Sequence, residues 1–503
     1  MKIEYICHAC LVIETDDARI VTDPWFAAPA YCDKWYVFPK PVRTDFVNEV
    51  DTILISHGHE DHLNEPTLKL FPKNAKVFYP YSFFGGAKEY IESMGFADVR
   101  ECVTYRKYDI SKNTSVTFVI NSHDSIMVIE SGGEVLVNAN DALHSSPEKV
   151  IDFYTAALSE KWPKIDYLFC GFGGASYFPN TMHLAGKDDH ATSLVREQLF
   201  AHNFCRVVKG LKPTVAVPFA ADFCLLDNDQ RWINEARFPR SKMSQYYREY
   251  FGEDNYDPKI IDMYSGDHLE KGDLTAASPY RMQMQNGVLD HLIDEQYGDE
   301  ILAKRNQKKI PESEAEKLAD EIRLNIEKRR SLFSDEKLNG LVFSVCLTDV
   351  AQNSFYNISF QKGNVKICRA EASDDDSLLT MEMSSDIVRY SIGSDWGADV
   401  ISIGSGAEIY ISDKRAAEVD LEKICMNLLA CYPTPSDLRK TPFRTLQFLL
   451  LNPPRFTTSI RKLKKFNIES ENYDRKTWLL KKPEEIRRIY GLPTLESEFF
   501  AGG

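Results

Sequence analysis

The chain has 503 residues, with 60 Lys and Arg against 75 Asp and Glu and a formal net charge of −15. Hydrophobic residues make up 43% and charged residues 27% of it, ordinary globular usage that argues against a disordered, collagenous or coiled-coil protein. The acidic balance repels phosphate backbones, and no nucleic-acid partner is expected.

At roughly 150 residues per domain the length suggests about three domains' worth of chain. The longest apolar runs, such as Phe448 to Leu451, fall far short of the roughly 18 to 20 residues of a membrane-spanning helix, so no span is expected. Met1-Lys2-Ile3-Glu4-Tyr5 enters an alternating pattern at once and lacks the charged head and apolar stretch of a signal peptide. Eleven scattered cysteines, mostly inside apolar runs, behave as small hydrophobes and point to a reducing cytoplasm. The one close pair, Cys7-His8-Ala9-Cys10, reads as mid-strand and has no second pair to complete a zinc site.

In chain order, Ile3 to Glu14, Ala18 to Thr22, Thr52 to Ser56, Val116 to Asn121, Ile126 to Glu130 and Glu134 to Asn138 read as strands. Ser131-Gly132-Gly133 turns one hairpin. Ile165 to Cys170 and Thr214 to Val217 follow as strands, with helical spacing from Ala191 to Leu211 between them. Residues 1–275 are therefore expected to form an α/β body. Residues 276–340 change to a helical connector, in which Ala315, Leu318, Ile322 and Ile326 recur at helical spacing among charged neighbours. Strand patterns reopen at Leu341, and residues 341–435 are expected to form a second, smaller α+β domain. Residues 436–503 form a basic tail: Arg439 to Arg488 hold 14 Lys and Arg against 5 Asp and Glu, so the segment carries +9 and the remainder −24. Folding back on the acidic body is the expected fate of that tail.

The chemistry lies in Ser56-His57-Gly58-His59-Glu60-Asp61-His62, directly after an apolar strand. Three imidazoles and a carboxylate at one strand end are hard to explain without a cation. His57 and His59, two apart, face the same way in extended chain, while Asp61 and His62 fall where the loop turns back. The arrangement fits two adjacent metals, one on His57 and His59 and one on Asp61 and His62.

This run resembles the His-x-His-x-Asp-His signature of the metallo-β-lactamase superfamily, and the resemblance covers residues 1–275. It implies an αββα sandwich holding one or two divalent ions, zinc, manganese or iron. Met1 to Tyr5 and Thr22-Asp23-Pro24-Trp25 are similar to the opening strands of the subgroup containing L-ascorbate-6-phosphate lactonase. By the resemblance His123 is a further metal ligand, Asp141 bridges the metals, and Asp23 orients a ligand histidine. The superfamily's last histidine is due near Val217-Pro218-Phe219-Ala220-Ala221-Asp222, where this chain has none. His144, His183, His190, His268 and Asp222 are the candidates to replace it. Gly171 to Pro179 and Val217 to Ala220 resemble the corresponding part of CMP-N-acetylneuraminate hydroxylases, without their Rieske pattern. The C-terminal part resembles the sterol-carrier-protein type 2 fold, through Asp374-Asp375-Asp376, Leu378 to Met383 and Gly406 to Ser412.

Three functions are open on these residues. The first is a metallo-hydrolase acting on an ester, amide, lactone or phosphoryl group of a small anionic or lipid-like substrate, with Asp61 or Asp141 as general base. The second is a diiron oxygenase with an external electron donor, and the third a binding protein with an incomplete site. The aromatics Trp25, Phe26, Tyr31, Trp35 and Tyr36 are open to two roles, a pocket mouth or, as is commoner for such clusters, packing, and Gly171 to Gly174 to a tight turn beside the metals or amides that hold an anionic group. The oligomeric state is not legible in the sequence.

Overall fold

The computed structural model describes residues 1–81, 85–121, 124–174, 176, 178–253, 255–287, 289–351, 354–361, 364–394, 396–430, 442–451, 474–495 and 499. Two sheets stack face to face. In spatial order, the first joins Asp273–Thr275, His268–Glu270, Lys2–Cys7, Cys10–Glu14, Arg19–Thr22, Thr52–Leu54, Lys76–Pro80 and Asp98–Cys102. The second joins Lys259–Ile260, Val215–Phe219, Tyr167–Gly171, Glu134–Asn140, Asp124–Ser131, Thr114–Asn121 and Lys107–Asp109.

Period-two alternation decides which side chains meet. Leu11 and Ile13 from the first sheet join Met127, Ile129 and Phe118 from the second in the inter-sheet core. Their neighbours Cys10 and Val12 point to the opposite face, and Ile126, Val128 and Val119 pack outward beneath Tyr154, Leu158, Phe204 and Val208. Those four lie on the helices Glu148–Lys161 and Asp189–Leu211. Short helices, Glu65–Leu68 and Ala87–Ser93, together with the C-terminal part cover the other outer face. These layers make the expected αββα sandwich. Each fully buried Leu, Ile, Val or Phe adds about 1.5–3 kcal/mol over exposure, so the alternation fixes the register of every strand.

One strand expectation needs correction. Ile3 to Glu14 is two strands, and Cys7-His8-Ala9-Cys10 is the hairpin turn between them rather than mid-strand. His8 takes φ +45° there, which lets the chain reverse in so few residues.

The C-terminal part has its own six-stranded sheet, ordered Met182–His183, Glu408–Ile411, Leu379–Met383, Val342–Leu347, Phe355–Gln361 and Asn364–Ala370. The helix Glu312–Arg329 buries Ala315, Leu318, Ile322 and Ile326, the face that the spacing marked. Strands from the two halves were expected in separate sheets, and this is corrected: Met182–His183 pairs in parallel with Glu408–Ile411. Ile409 N donates to Thr181 O at 2.8 Å, so the body supplies partners to a strand edge that would otherwise be open.

At this seam His183 Nδ1 lies 2.6 Å from Asp189 and Nε2 lies 2.5 Å from Glu408. Burial alone would lower its pKa, but the two carboxylates raise it to about 9. Lys187 also binds Asp189, at 2.6 Å, Glu382 lies within electrostatic reach, and the Tyr410 ring packs 4.9 Å away. A folded pKa above the unfolded value of about 6.5 means the contribution is complete below that pH and lost as pH rises through about 9. Thermal unfolding scans should therefore show stability falling across this window by about 2 kcal/mol. His183→Gln should flatten the slope, and an unchanged slope would refute the linkage.

Part of the basic tail folds back. Arg475 Nε meets buried Glu422 at 3.1 Å, Trp478 is buried, and Gln198 Nε2 donates to Pro493 O at 2.7 Å. Residues 452–473, with the cluster Arg461 to Lys465, lie outside the described residues. No helix among the described residues is long and apolar enough to cross a membrane.

Candidate metal centre

The signature loop leaves Thr52–Leu54, a central strand with neighbours on both sides, and is pinned from below. Ser56 N donates to Asp23 Oδ1 at 2.7 Å, and Ser125 Oγ donates to Ser56 O at 2.5 Å. Asn64 caps the helix that ends the loop by accepting from Thr67 N. His57, Asp61 and His62 are thereby buried, with His59 and Glu60 at the rim.

Other strand ends converge on the same place. Asp141 follows Glu134–Asn140, Asp124 opens Asp124–Ser131, and His8 arrives from the first hairpin. Three groups of potential ligand atoms form among the described residues, each within 4.8 Å: His57, His59 and Asp124; His57, His62 and Asp141; His8, Asp61 and His62. His57 Nε2 lies 2.8 Å from His59 Nδ1 and 3.7 Å from Asp124 Oδ1. His62 Nε2 lies 3.4 Å from Asp141 Oδ2 and 3.5 Å from Asp61 Oδ2. His62 Nδ1 is held by Asp23 Oδ2 at 3.1 Å, the orienting contact expected of Asp23.

Electrostatics follow from packing many ionisable groups out of water. Burial and the neighbouring imidazoles hold His57 well below the usual histidine range. Burial also opposes charge on His62, but Asp61, Asp23 and Asp141 overcome it and lift His62 well above that range. For Asp61 and Asp141 burial acts upward, and the histidines, His62 foremost, more than reverse it, so both stay ionised. Asp124 keeps 23% of its side chain exposed, yet burial and the Asp141 charge push it up to about 7.

The donor set fits a divalent cation by its chemistry and by what is left unmatched. It is all imidazole nitrogen and carboxylate oxygen, ligands that suit zinc, manganese and iron. His62 Nε2, Asp124 Oδ1 and Asp141 Oδ1 are buried without a hydrogen-bond partner. Buried polar atoms are seldom left so unless something else satisfies them.

His57, His59, Asp61, His62 and Asp141 are thus gathered as the sequence placed them, while His123 lies outside the described residues. Asp124 and His8 are additions. None of the proposed replacements for the last histidine joins these groups. Asp222 pairs with Arg240 and accepts from the Tyr5 hydroxyl, His183 sits at the seam, and His190 packs near Trp232. His268 lies on a strand beside Glu4, and His144 Nε2 faces Gly173 O at 3.1 Å.

Two readings left open by the sequence are decided by the packing. Trp25, Tyr31 and Trp35 are fully buried packing rather than a pocket mouth, because Trp35 stacks on Phe223 at 3.7 Å and the His8 ring meets Trp25 edge-on at 5.1 Å. The Gly174 amide is already matched within the chain, donating to Glu197 Oε1 at 2.7 Å. A Cβ at Gly174 would lie 2.6 Å from that oxygen, so the glycine serves close approach of a helix to the loop.

The profile of the Beta-lactamase superfamily domain matches residues 2–144. Cytidine monophosphate-N-acetylneuraminic acid hydroxylase from Danio rerio is 27% identical over 261 residues, 48% of this chain and 41% of that protein. The Gorilla gorilla gorilla enzyme of the same name is 26% identical over 259 residues, 47% of this chain and 40% of that one. The aligned region thus spans about two fifths of these relatives. Among solved structures, CmlA, a diiron β-hydroxylase from Streptomyces venezuelae, gives a TM-score of 0.37 at 16% identity over 54% of each chain. Residues 2–144, which open the sandwich, are thus similar to the β-lactamase superfamily domain.

Proposed function

We propose that the protein is a metal-dependent hydrolase of a small anionic substrate, with His57, His59, Asp61, His62, His123 and Asp141 as metal ligands. The observation that carries this reading is the convergence of buried imidazole and carboxylate atoms at the strand ends, several of them unmatched. A divalent ion bound there would lower the pKa of water and polarise a carbonyl or phosphoryl oxygen. The ionised Asp61 and Asp141 are placed to take the proton of the attacking water. Asp23 keeps the His62 ring aligned, and Tyr31, whose hydroxyl donates to Asp61 Oδ1 at 2.6 Å, fixes that carboxylate.

A cavity of about 470 Å³ adjoins the segment Ala221 to Phe223, lined among others by Phe172, Glu197, Arg237 and Arg240. Arg237 Nη1 is buried there without a hydrogen-bond partner, a feature that suits an anionic group.

The likeness to the hydroxylases over 261 residues favours one second reading, an iron-dependent oxygenase supplied with electrons from a separate donor. Metal analysis of the purified protein, with assays of lactone, ester and phosphoester hydrolysis and of reductant-dependent dioxygen uptake, separates the two. Zinc or manganese with hydrolysis supports the first; iron with dioxygen uptake overturns it. His59→Ala should lower bound metal as well as activity, and full metal retention in that variant would remove His59 from the ligand set.

A further inference from the structure

The turn histidine of the first hairpin reaches Asp61 from outside the signature loop. His8 Nε2 lies 3.1 Å from Asp61 Oδ2, and His62 Nε2 approaches the same oxygen at 3.5 Å. Asp61 Oδ1 is already taken by the Tyr31 hydroxyl, and His62 Nδ1 faces Asp23 Oδ2 at 3.1 Å and Ser56 Oγ at 3.4 Å. Ligand atoms of two imidazoles and one carboxylate therefore lie within 4.8 Å of one another in one small buried volume, and His62 Nε2 there has no hydrogen-bond partner. We propose that His8 is a metal ligand, which with Asp61 and His62 closes the second metal position. The inference rests on the metal-centre reading above and completes it.

The backbone supports the assignment. His8 sits at φ +45° in a fully buried turn, a conformation that costs a non-glycine residue about 1 kcal/mol or more. Asp23, Tyr31, Asn140 and Ala220, at φ +39°, +56°, +31° and +58°, also border the site. Asp23 and Tyr31 hold its ligands, Asn140 precedes Asp141, and Ala220 N donates to His8 O at 3.2 Å. Strain gathered around one cluster marks positions that the surrounding structure holds for a purpose. The Tyr5 hydroxyl, whose proton goes to Asp222, also lies 3.1 Å from His8 O, so the turn is packed from two sides. The contact of the His8 carbonyl with Ala220 sets the hairpin against the segment Val217 to Asp222, which has no histidine of its own.

A purely structural role, as a donor to Asp61, makes different predictions. Asn tolerates positive φ, so His8→Asn should preserve the turn. Gln retains a side-chain donor able to reach Asp61, so His8→Gln should rescue a structural role but not a ligand. The chelator-stripped full chain is titrated with Co(II), followed by its visible absorption, with metal per chain measured after gel filtration. Wild type should take up two equivalents. Both variants should keep one tight equivalent and bind the second at least about 100-fold more weakly, the upper end of what loss of even an outer partner costs. Thermal scans of the stripped proteins show whether each variant is folded, and an unfolded His8→Gln leaves His8→Asn to decide. Two tight equivalents with the wild-type spectrum in either folded variant overturn the assignment and leave the hydrolase reading standing. One equivalent in wild type also overturns it, in favour of a mononuclear site. No uptake by wild type overturns both.

Discussion

Asp141→Asn should empty both metal positions at once, where His59→Ala and the His8 variants empty one. Asp141 forms one group with His57 and His62, and each of those histidines also belongs to a second group, with His59 and Asp124 or with His8 and Asp61. Its Oδ2 lies 3.4 Å from His62 Nε2, and its Oδ1 is buried with no hydrogen-bond partner. The amide keeps the shape but loses the charge and one anionic oxygen, so an ion bridged by Asp141 would lose the group shared between both sites. The expected result is metal content below half that of wild type and a rate at least about 100-fold lower. Unchanged far-ultraviolet circular dichroism would show that the strand end survives. Wild-type metal content in Asp141→Asn would take Asp141 out of the bridging role.

The difference between what could and could not be read in advance follows from sequence distance. His57, His59, Asp61 and His62 are legible because one loop carries them all, and Asp141 and Asp23 only through the family resemblance, which the strand before each helps to align. His8 is hidden because its hairpin lacks the usual Gly, Asn or Pro turn signal, and the alternation runs through Cys7 and Cys10 as though unbroken. Asp124 enters only through pairing of its hairpin, where Asp124 stands opposite Asn121. Lys76–Pro80 and Asp98–Cys102 escape the pattern because each is only five residues long and carries charged or proline residues. Met182–His183 is shorter still, and its pairing is set by the C-terminal part that recruits it. The amphipathic helix Glu312–Arg329 is legible to within a residue because its apolar stripe repeats over 18 residues.

Gly404→Ala should damage the metal centre from the far end of the chain. A Cβ at Gly404 would lie 2.5 Å from Tyr31 Cβ and 2.7 Å from Val400 O, so neither a side chain nor backbone has room to yield. Tyr31 donates its hydroxyl to Asp61 and its backbone N–H, at 2.6 Å, to Glu60, while the Tyr390 hydroxyl, also from the C-terminal part, donates to Glu60. Burial and the charges of Glu60 and Asp61 push Asp399 up to about 7, a sign of how closely this part approaches the signature loop. Overpacking of a tight contact costs about 1–3 kcal/mol, and here the strain passes through Tyr31 to a carboxylate in the ligand cluster. The variant should unfold at lower temperature than wild type and bind Co(II) more weakly at the Asp61 position. Gly393→Ala, at a helix position where a Cβ meets nothing within 4 Å, should leave both properties unchanged. If Gly404→Ala matched wild type in unfolding and metal affinity, the C-terminal part would not buttress the metal centre through Tyr31.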